Sequence, residues 1–370
     1  MDILIILFIS LFGTIIINRL LLVFSKNLGT RGSENIQVRW ASTSKPSLGG
    51  FAYYIVFVGL VGVTGLLDLE YFIFTKKQLL GIFIAISCGF GIGFTDDTYN
   101  TNPRLKAFGQ LFCALILYYF DIQIQIFNNQ FGDFVFTTFW IMGIMNSINM
   151  LDNMDGVTAT TSICVILSFI VVSINFNYLD RNILYILVGV TGSLIGFLYH
   201  NWHPSKLYMG DAGSQFLGIF LAAFSVPFLW NNNSFNLEIP YFSKFVVPVL
   251  VFCIPLIDTA TVVYYRLRRK TSPFLGGSDH TTHHLVFFGF SERNVVLFFT
   301  IINFIGLIII YNILINGRPN LFYSLCIILF LFLVFSVIEF LYVKGLKNAN
   351  KKKKSQVKDR ASIYDKLINK

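Results

Sequence analysis

Residues 134–156 read FVFTTFWIMGIMNSINMLDNMDG, an apolar run as far as Leu151 that closes in a polar cluster. Crossing a hydrocarbon core takes roughly twenty apolar residues, so 134–151 is close to one membrane span. Within the run's inner end, Asn146, Asn149, Asp152 and Asp155 recur at every third position. Carboxylates beside a bilayer are costly enough to signal a function. On an ideal helix a step of three drifts by about sixty degrees, so the four groups converge on one ligand only if the helix tightens or unwinds near Leu151. Gly156 is the expected stop.

The rest of the chain repeats this pattern. Of 370 residues, 55% are hydrophobic and only 13% charged, about half the charge of an ordinary soluble domain. Apolar runs recur at about 3–24, 49–67, 78–95, 105–121, 134–151, 157–175, 182–200, 213–230, 245–265, 295–315 and 321–343. The fold class is therefore all-α and polytopic in the membrane, with about eleven transmembrane helices. The domain organisation is one transmembrane unit, 1–343, followed by a basic tail, 344–370. The first run, MDILIILFISLFG, has no basic leader and no small-residue cleavage site, and reads as a retained span. Cys88, Cys113, Cys164, Cys253 and Cys326 all lie inside apolar runs without metal-type spacing, and read as packing residues.

Basic residues fix the orientation. Lys26, Arg31, Arg39, Lys45, Arg104, Lys106, Lys206, Arg266, Arg268, Arg269, Lys270, Arg293 and the tail fall on one side; Lys76, Lys77, Arg181, Lys244 and Arg318 fall on the other. The first side is expected to be cytoplasmic, with the N-terminus outside and the C-terminus inside. The tail, with Lys351 to Lys354 at its centre, reads as a topology determinant that touches anionic lipid headgroups, not as a nucleic-acid binder. Every notable polar cluster lies on the same side, so one cytoplasmic-face active site is expected.

Four further clusters carry chemistry. In GFTDD, Gly93 to Asp97, the adjacent carboxylates point about a hundred degrees apart on a helix. One can face a substrate while the other meets a metal or a basic partner; the alternative is a pair of solvated interfacial acids. Unpaired in a low dielectric they would tend to keep a proton, a conflict that a cation resolves, and hard oxygen ligands favour Mg²⁺ or Mn²⁺. GDAGS, Gly210 to Ser214, sets Asp211 at a helix start, either as a simple N-cap or beside a phosphate or metal. RRKTSPFLGGSDHTTHHL, Arg268 to Leu285, combines a basic run with His280, His283 and His284. These read as donors to phosphate or sugar rather than zinc ligands, since no cysteine is near. Lys45, Pro46, Gly49 and Gly50 add a cation and a flexible approach to the membrane. Acids for a divalent cation, cations for phosphate and a membrane-surface location together point to transfer of a phosphoryl-linked group between a soluble diphosphate and a lipid.

The motifs resemble those of the polyprenyl-phosphate N-acetylhexosamine-1-phosphate transferases, the family that includes the phospho-MurNAc-pentapeptide translocases. PSLGG is similar to that family's P-x-x-GG, GFTDD to its aspartate pair, and NSINMLDNMDG to its N-x-x-N-x-x-D-G-x-D-G. HNWHPSKLYMGDAGS is similar to its N-x-x-P-x-x-x-F-M-G-D-x-G-S, and DHTTHHL to its histidine motif. The resemblance implies transfer of an N-acetylhexosamine-1-phosphate from a UDP-N-acetylhexosamine to undecaprenyl phosphate in a bacterial inner membrane, with release of UMP, as an opening step of cell-envelope polysaccharide synthesis. It implies Asp96 and Asp97 as the catalytic pair, and Asp211 with Asn149 as ligands of Mg²⁺ or Mn²⁺. Lys45, Asn146, Asp152, Asp155, Asn201, His280, His283 and His284 would meet substrate. It also suggests a homodimer, which no spacing shows.

Asn153 and Met154 stand where the family has Gly and a small apolar residue, and H-x-x-H-H is one residue longer than the common H-x-H-H. Eleven spans and a cytoplasmic tail resemble the GlcNAc branch. A magnesium-dependent prenyltransferase would want two aspartate-rich motifs and no histidine loop. A proton-coupled transporter or an aspartyl intramembrane protease would want its acids within the spans, where only Asp258 stands out.

Overall fold

The computed structural model describes residues 3–27, 45–66, 74–127, 129–175, 181–231, 241–273, 277–315 and 321–368, and every regular element among them is helical. Arg31, Arg39, Arg318 and Lys370, counted above for orientation, lie outside the described residues. The helices are α1 (Ile3–Asn27), α2 (Gly49–Leu66), α3 (Lys76–Tyr99), α4 (Pro103–Tyr119), α5 (Gln130–Leu151), α6 (Val157–Asn175), α7 (Arg181–Asn201), α8 (Gly210–Ser225), α9 (Tyr241–Val251), α10 (Cys253–Arg268), α11 (Thr281–Phe288), α12 (Glu292–Ile315) and α13 (Leu321–Ile368). The chain is a multi-pass membrane protein. Eight of these helices are long and apolar enough to cross a bilayer, or nine if α9 and α10 count as one broken span, and α2 is a shorter apolar helix. At 17 residues, α4 is shorter still. Each of the eleven expected runs carries helix among the described residues, and length and apolarity alone single out eight or nine crossings there.

Burial sorts the helices into centre and rim. The span from Gly210 to Trp230 is 94% buried, whereas those of α1 and α13 are 22% and 28% buried, which leaves their outer faces to lipid. Along α8, Phe216, Phe220 and Phe224 succeed one another at a spacing of four on one face, and each is fully buried. They meet Tyr54 and Phe57 of α2 and Phe74. After Ser225 the helix widens into a π turn, Val226–Trp230. Pro227 has no N–H to continue the α pattern, and the Asn231 N–H reaches Val226 O at 2.8 Å instead.

One sequence expectation changes. The run at 245–265 is broken, with an 85° bend between α9 and α10. Pro255 cannot donate to the carbonyl of Val251 and its ring would crowd it, so the helix restarts at Cys253. At the other end, α13 runs unbroken from Leu321 to Ile368, through the basic residues that begin at Lys344.

Candidate active site

The stretch 146–156 does unwind near Leu151, but earlier than its glycine. α5 stops at Leu151, and Asp152 leaves helical geometry with ψ 52°. Gly156, at φ +78°, is the joint from which α6 departs. Its N–H is taken by Asn201 Oδ1 at 2.9 Å, and Asn201 also donates to Leu207 O at 2.9 Å. The loop is thus pinned to the α7–α8 connection. Asp155 is pinned there too, accepting from the Ser205 N–H and hydroxyl at 3.0 and 2.8 Å.

The four polar residues of that stretch do not converge on one point. Asn149 reaches α8, donating to Asp211 Oδ1 at 2.5 Å and to the Ser214 hydroxyl at 2.8 Å. Asn146 lies deeper, in an amide network: it donates to Gln110 Oε1 at 2.8 Å, and Gln110 donates to Gln215 Oε1 at 3.1 Å. Asp152 and Asp97 both lie within electrostatic reach of the buried Tyr53 phenol.

The paired aspartates at the end of α3 split their tasks. Asp96 takes the basic partner, with Lys106 Nζ at 2.7 Å from Oδ2, while Thr101 donates to Oδ1 through its N–H and hydroxyl at 2.9 and 2.7 Å. Asp97 turns toward α8 and accepts the Ala212 N–H at 2.9 Å. An N–H in the first turn of a helix has no intrahelical partner, so α3 caps α8. Asp211 is therefore not the N-cap, and no side chain of α8's own entry supplies a cap bond. Its carboxylate is left to Asn149 and to Lys106, at 2.9 Å. This approach requires Gly93, where a Cβ would sit 2.1 Å from Asp211 O.

Lys106 is the residue that the motifs did not single out. Its ammonium lies between Asp96, Asp211 and Asn149 Oδ1, the last at 3.1 Å. A signal was present: Asn102 and Pro103 are an N-cap and N1 pair, realised as the start of α4, which puts Lys106 in the first turn facing back on α3. Carboxylates from α3 and α8 with an amide oxygen from α5 are hard oxygen donors gathered round a cation. A divalent cation of that preference fits this donor set.

Lys45 and the histidines lie around this centre. Lys45 donates to the Ser205 hydroxyl at 3.2 Å and lies over the Tyr208 ring. Gly49 and Gly50 donate to Tyr208 O and Met209 O at 3.0 and 2.9 Å, zipping the PSLGG segment to the entry of α8. The histidines stand at the start of a short helix, α11, with His280 at its N-cap and His283 and His284 in its first turn, and all three are buried. His280 Nδ1 is 3.1 Å from Asp258 Oδ2, and Asp258 also accepts from the Thr281 N–H and hydroxyl. Thr282 donates to Asn153 Oδ1, so α11 docks on the 152–156 loop. His284 packs against the Tyr342 ring, centroids 4.0 Å apart. Burial pushes His283 down to about 4, helped by His280; burial with Arg269 does the same for His284. Burial would raise Asp279, but the two-pronged Arg266 guanidinium, at 3.0 and 2.7 Å, holds its carboxyl below the usual range. Asp155, His203 and Glu292 form a separate group, with His203 Nδ1 3.2 and 2.9 Å from the two carboxylates.

The family model for glycosyl transferase family 4 matches residues 79–228, from α3 to the π turn after α8. Over that stretch the chain is similar to glycosyl transferase family 4. Its relatives include a probable undecaprenyl-phosphate N-acetylglucosaminyl 1-phosphate transferase of Bacillus subtilis (strain 168), 28% identical over 82% of this chain and 81% of that protein. A decaprenyl-phosphate N-acetylglucosaminephosphotransferase of Mycobacterium tuberculosis is 27% identical over 69% of each chain. A phospho-N-acetylmuramoyl-pentapeptide-transferase of Streptococcus sanguinis is 28% identical over 54% of this chain and 64% of that one. The family 4 match takes in Asp96, Asp97, Lys106, Asn149 and Asp211; Lys45 and the histidine helix lie outside it.

Proposed function

We propose that this protein is a member of glycosyl transferase family 4 and transfers N-acetylglucosamine-1-phosphate from UDP-GlcNAc to undecaprenyl phosphate on the cytoplasmic face of a bacterial membrane. The observation that carries the reading is the meeting of Asp96, Asp97, Asn149 and Asp211 around Lys106, at the end of the bundle that holds the basic connections. The names of the relatives support the polyprenyl acceptor and the sugar.

A lipid-phosphate oxygen attacks the sugar-proximal phosphorus. The bond from that phosphorus to the bridging oxygen breaks, and UMP departs with that oxygen. One anhydride replaces another, so the step is nearly balanced. Positioning and charge neutralisation supply most of the rate in phosphoryl transfer. A phosphomonoester has a second pKa of about 6, so the acceptor is largely dianionic at neutral pH and needs orientation more than a strong base. Asp97 and the first turn of α8 orient it, and Lys106 offsets charge on the diphosphate. Asp211 and Asn149 would hold Mg²⁺, which when bound neutralises phosphate oxygens. Lys45 and the 152–156 loop meet the nucleotide sugar.

Purified protein in undecaprenyl-phosphate vesicles with Mg²⁺, offered a panel of UDP-sugars, tests this by nucleotide analysis. UMP release with UDP-GlcNAc is expected. Release of UDP, or UMP release only with a different sugar, overturns the reading or its choice of sugar.

A further inference from the structure

One stripe of α13 is given over to the histidine helix. Glu339, Tyr342, Gly345 and Asn348 recur at every third position, and each meets α10, α11 or the segment joining them. Glu339 accepts from the Tyr265 hydroxyl of α10. Tyr342 is fully buried, stacked on Tyr265 with centroids 4.7 Å apart on one side and set against His284 on the other. Its hydroxyl donates to Asp279 O at 3.3 Å. At Gly345 a Cβ would lie 2.0 Å from His284 O, closer than any side chain is accommodated. Asn348 donates to Phe287 O at 3.3 Å. These contacts come from a helix that the family match does not reach.

We propose that Tyr342 is a positioning residue: wedged between Tyr265 and His284, it fixes the orientation of the His284 ring and seats α11 on the 152–156 loop beside the carboxylate centre. The effect on turnover rests on the transferase reading; the seating of His284 does not. The groups that bear on His284 are Arg269 at the end of α10, Asp279 and His280 before α11, and Asp258 within α10. Removing the Tyr342 ring admits water to an imidazole that is 3% exposed, which restores its affinity for a proton. The acidic limb of the pH–rate profile then moves toward neutrality.

The test compares Tyr342→Ala, Tyr342→Phe and Gly345→Ala in the full-length protein by two readouts. The first is modification of His284 by diethyl pyrocarbonate, followed by peptide mass spectrometry, which needs no activity. The second is UMP release from UDP-GlcNAc against pH. Tyr342→Ala and Gly345→Ala are expected to raise His284 modification by about tenfold, to lower kcat/KM by about tenfold and to shift the acidic limb upward. Tyr342→Phe keeps the ring and stays near wild type in both. Protection of His284 unchanged in Tyr342→Ala overturns the proposal, as does an equal loss in Ala and Phe variants with an unmoved pH profile. If the wild type releases no UMP, the transferase reading fails and the modification readout still decides the brace.

Discussion

Lys106 and Asp211, 105 positions apart in the chain, are joined by an ion pair of 2.9 Å at the mouth of α8. The pair ties α4 to α8 through a side chain that also holds Asp96 of α3, so three helices share one charge. Its removal leaves two carboxylates 13% and 27% exposed without their cation. Lys106→Met is expected to lower turnover by about 10²–10³, the loss typical of a group that stabilises developing charge. Lys106→Arg should retain a measurable part of the rate. Steady-state kinetics on purified variants check both.

Asp97→Asn and Asp211→Asn are each expected to abolish turnover while the protein still reaches the membrane. The Asp97 variant removes the charge at the first turn of α8, and the Asp211 variant removes the carboxylate nearest Asn149. Membrane fractionation alongside UMP release separates a lost site from a lost fold. Full activity in either variant means that the centre lies elsewhere.

Gly93→Ala is expected to be destabilising despite its size, because the added methyl would stand 2.1 Å from Asp211 O and force α3 away from α8. Overpacking of this kind costs about 1–3 kcal/mol, read as a lowered Tm in detergent. Activity should fall further than stability alone requires, since the same shift withdraws Asp97 from the Ala212 N–H.

His283 and His284 give a pH dependence with a definite sign. Both are held at about 4 in the folded protein, against about 6.5 in the unfolded chain, so between those values the unfolded state binds more protons. Thermal stability should be level above about pH 6.5, fall as the pH drops toward 4 and level again below it as far as these two groups are concerned. Asp279, held low by Arg266, adds a loss only under more acid conditions. A His283→Gln, His284→Gln double variant should flatten the decline between pH 6.5 and 4.

Much of this architecture was legible in the sequence because a bilayer leaves few options: an apolar run there becomes a helix. That logic placed all eleven runs and gathered the polar clusters at one end, and the adjacent GFTDD acids do point different ways. It failed where tertiary contacts compete with local pattern. Gly156 looked like a helix stop, but α5 ends five residues sooner because Asn153, Asp155 and the Gly156 N–H are each claimed by other segments. By its spacing Lys106 reads only as a topology charge, since its partners Asp96 and Asp211 are set by helix packing. The brace from α13 was invisible for the same reason: Tyr342 and Gly345 carry no motif, and only the crossing with α11 gives them meaning.

The central claim is that the carboxylates of α3 and α8 surround a diphosphate whose sugar-proximal phosphorus passes to a lipid. UDP-GlcNAc carrying ³²P at that phosphorus alone, incubated with the protein and undecaprenyl phosphate, tests it most directly. The label is expected to partition into the organic phase while unlabelled UMP stays in water. Label retained in an aqueous nucleotide, with sugar alone moving to lipid, would contradict it.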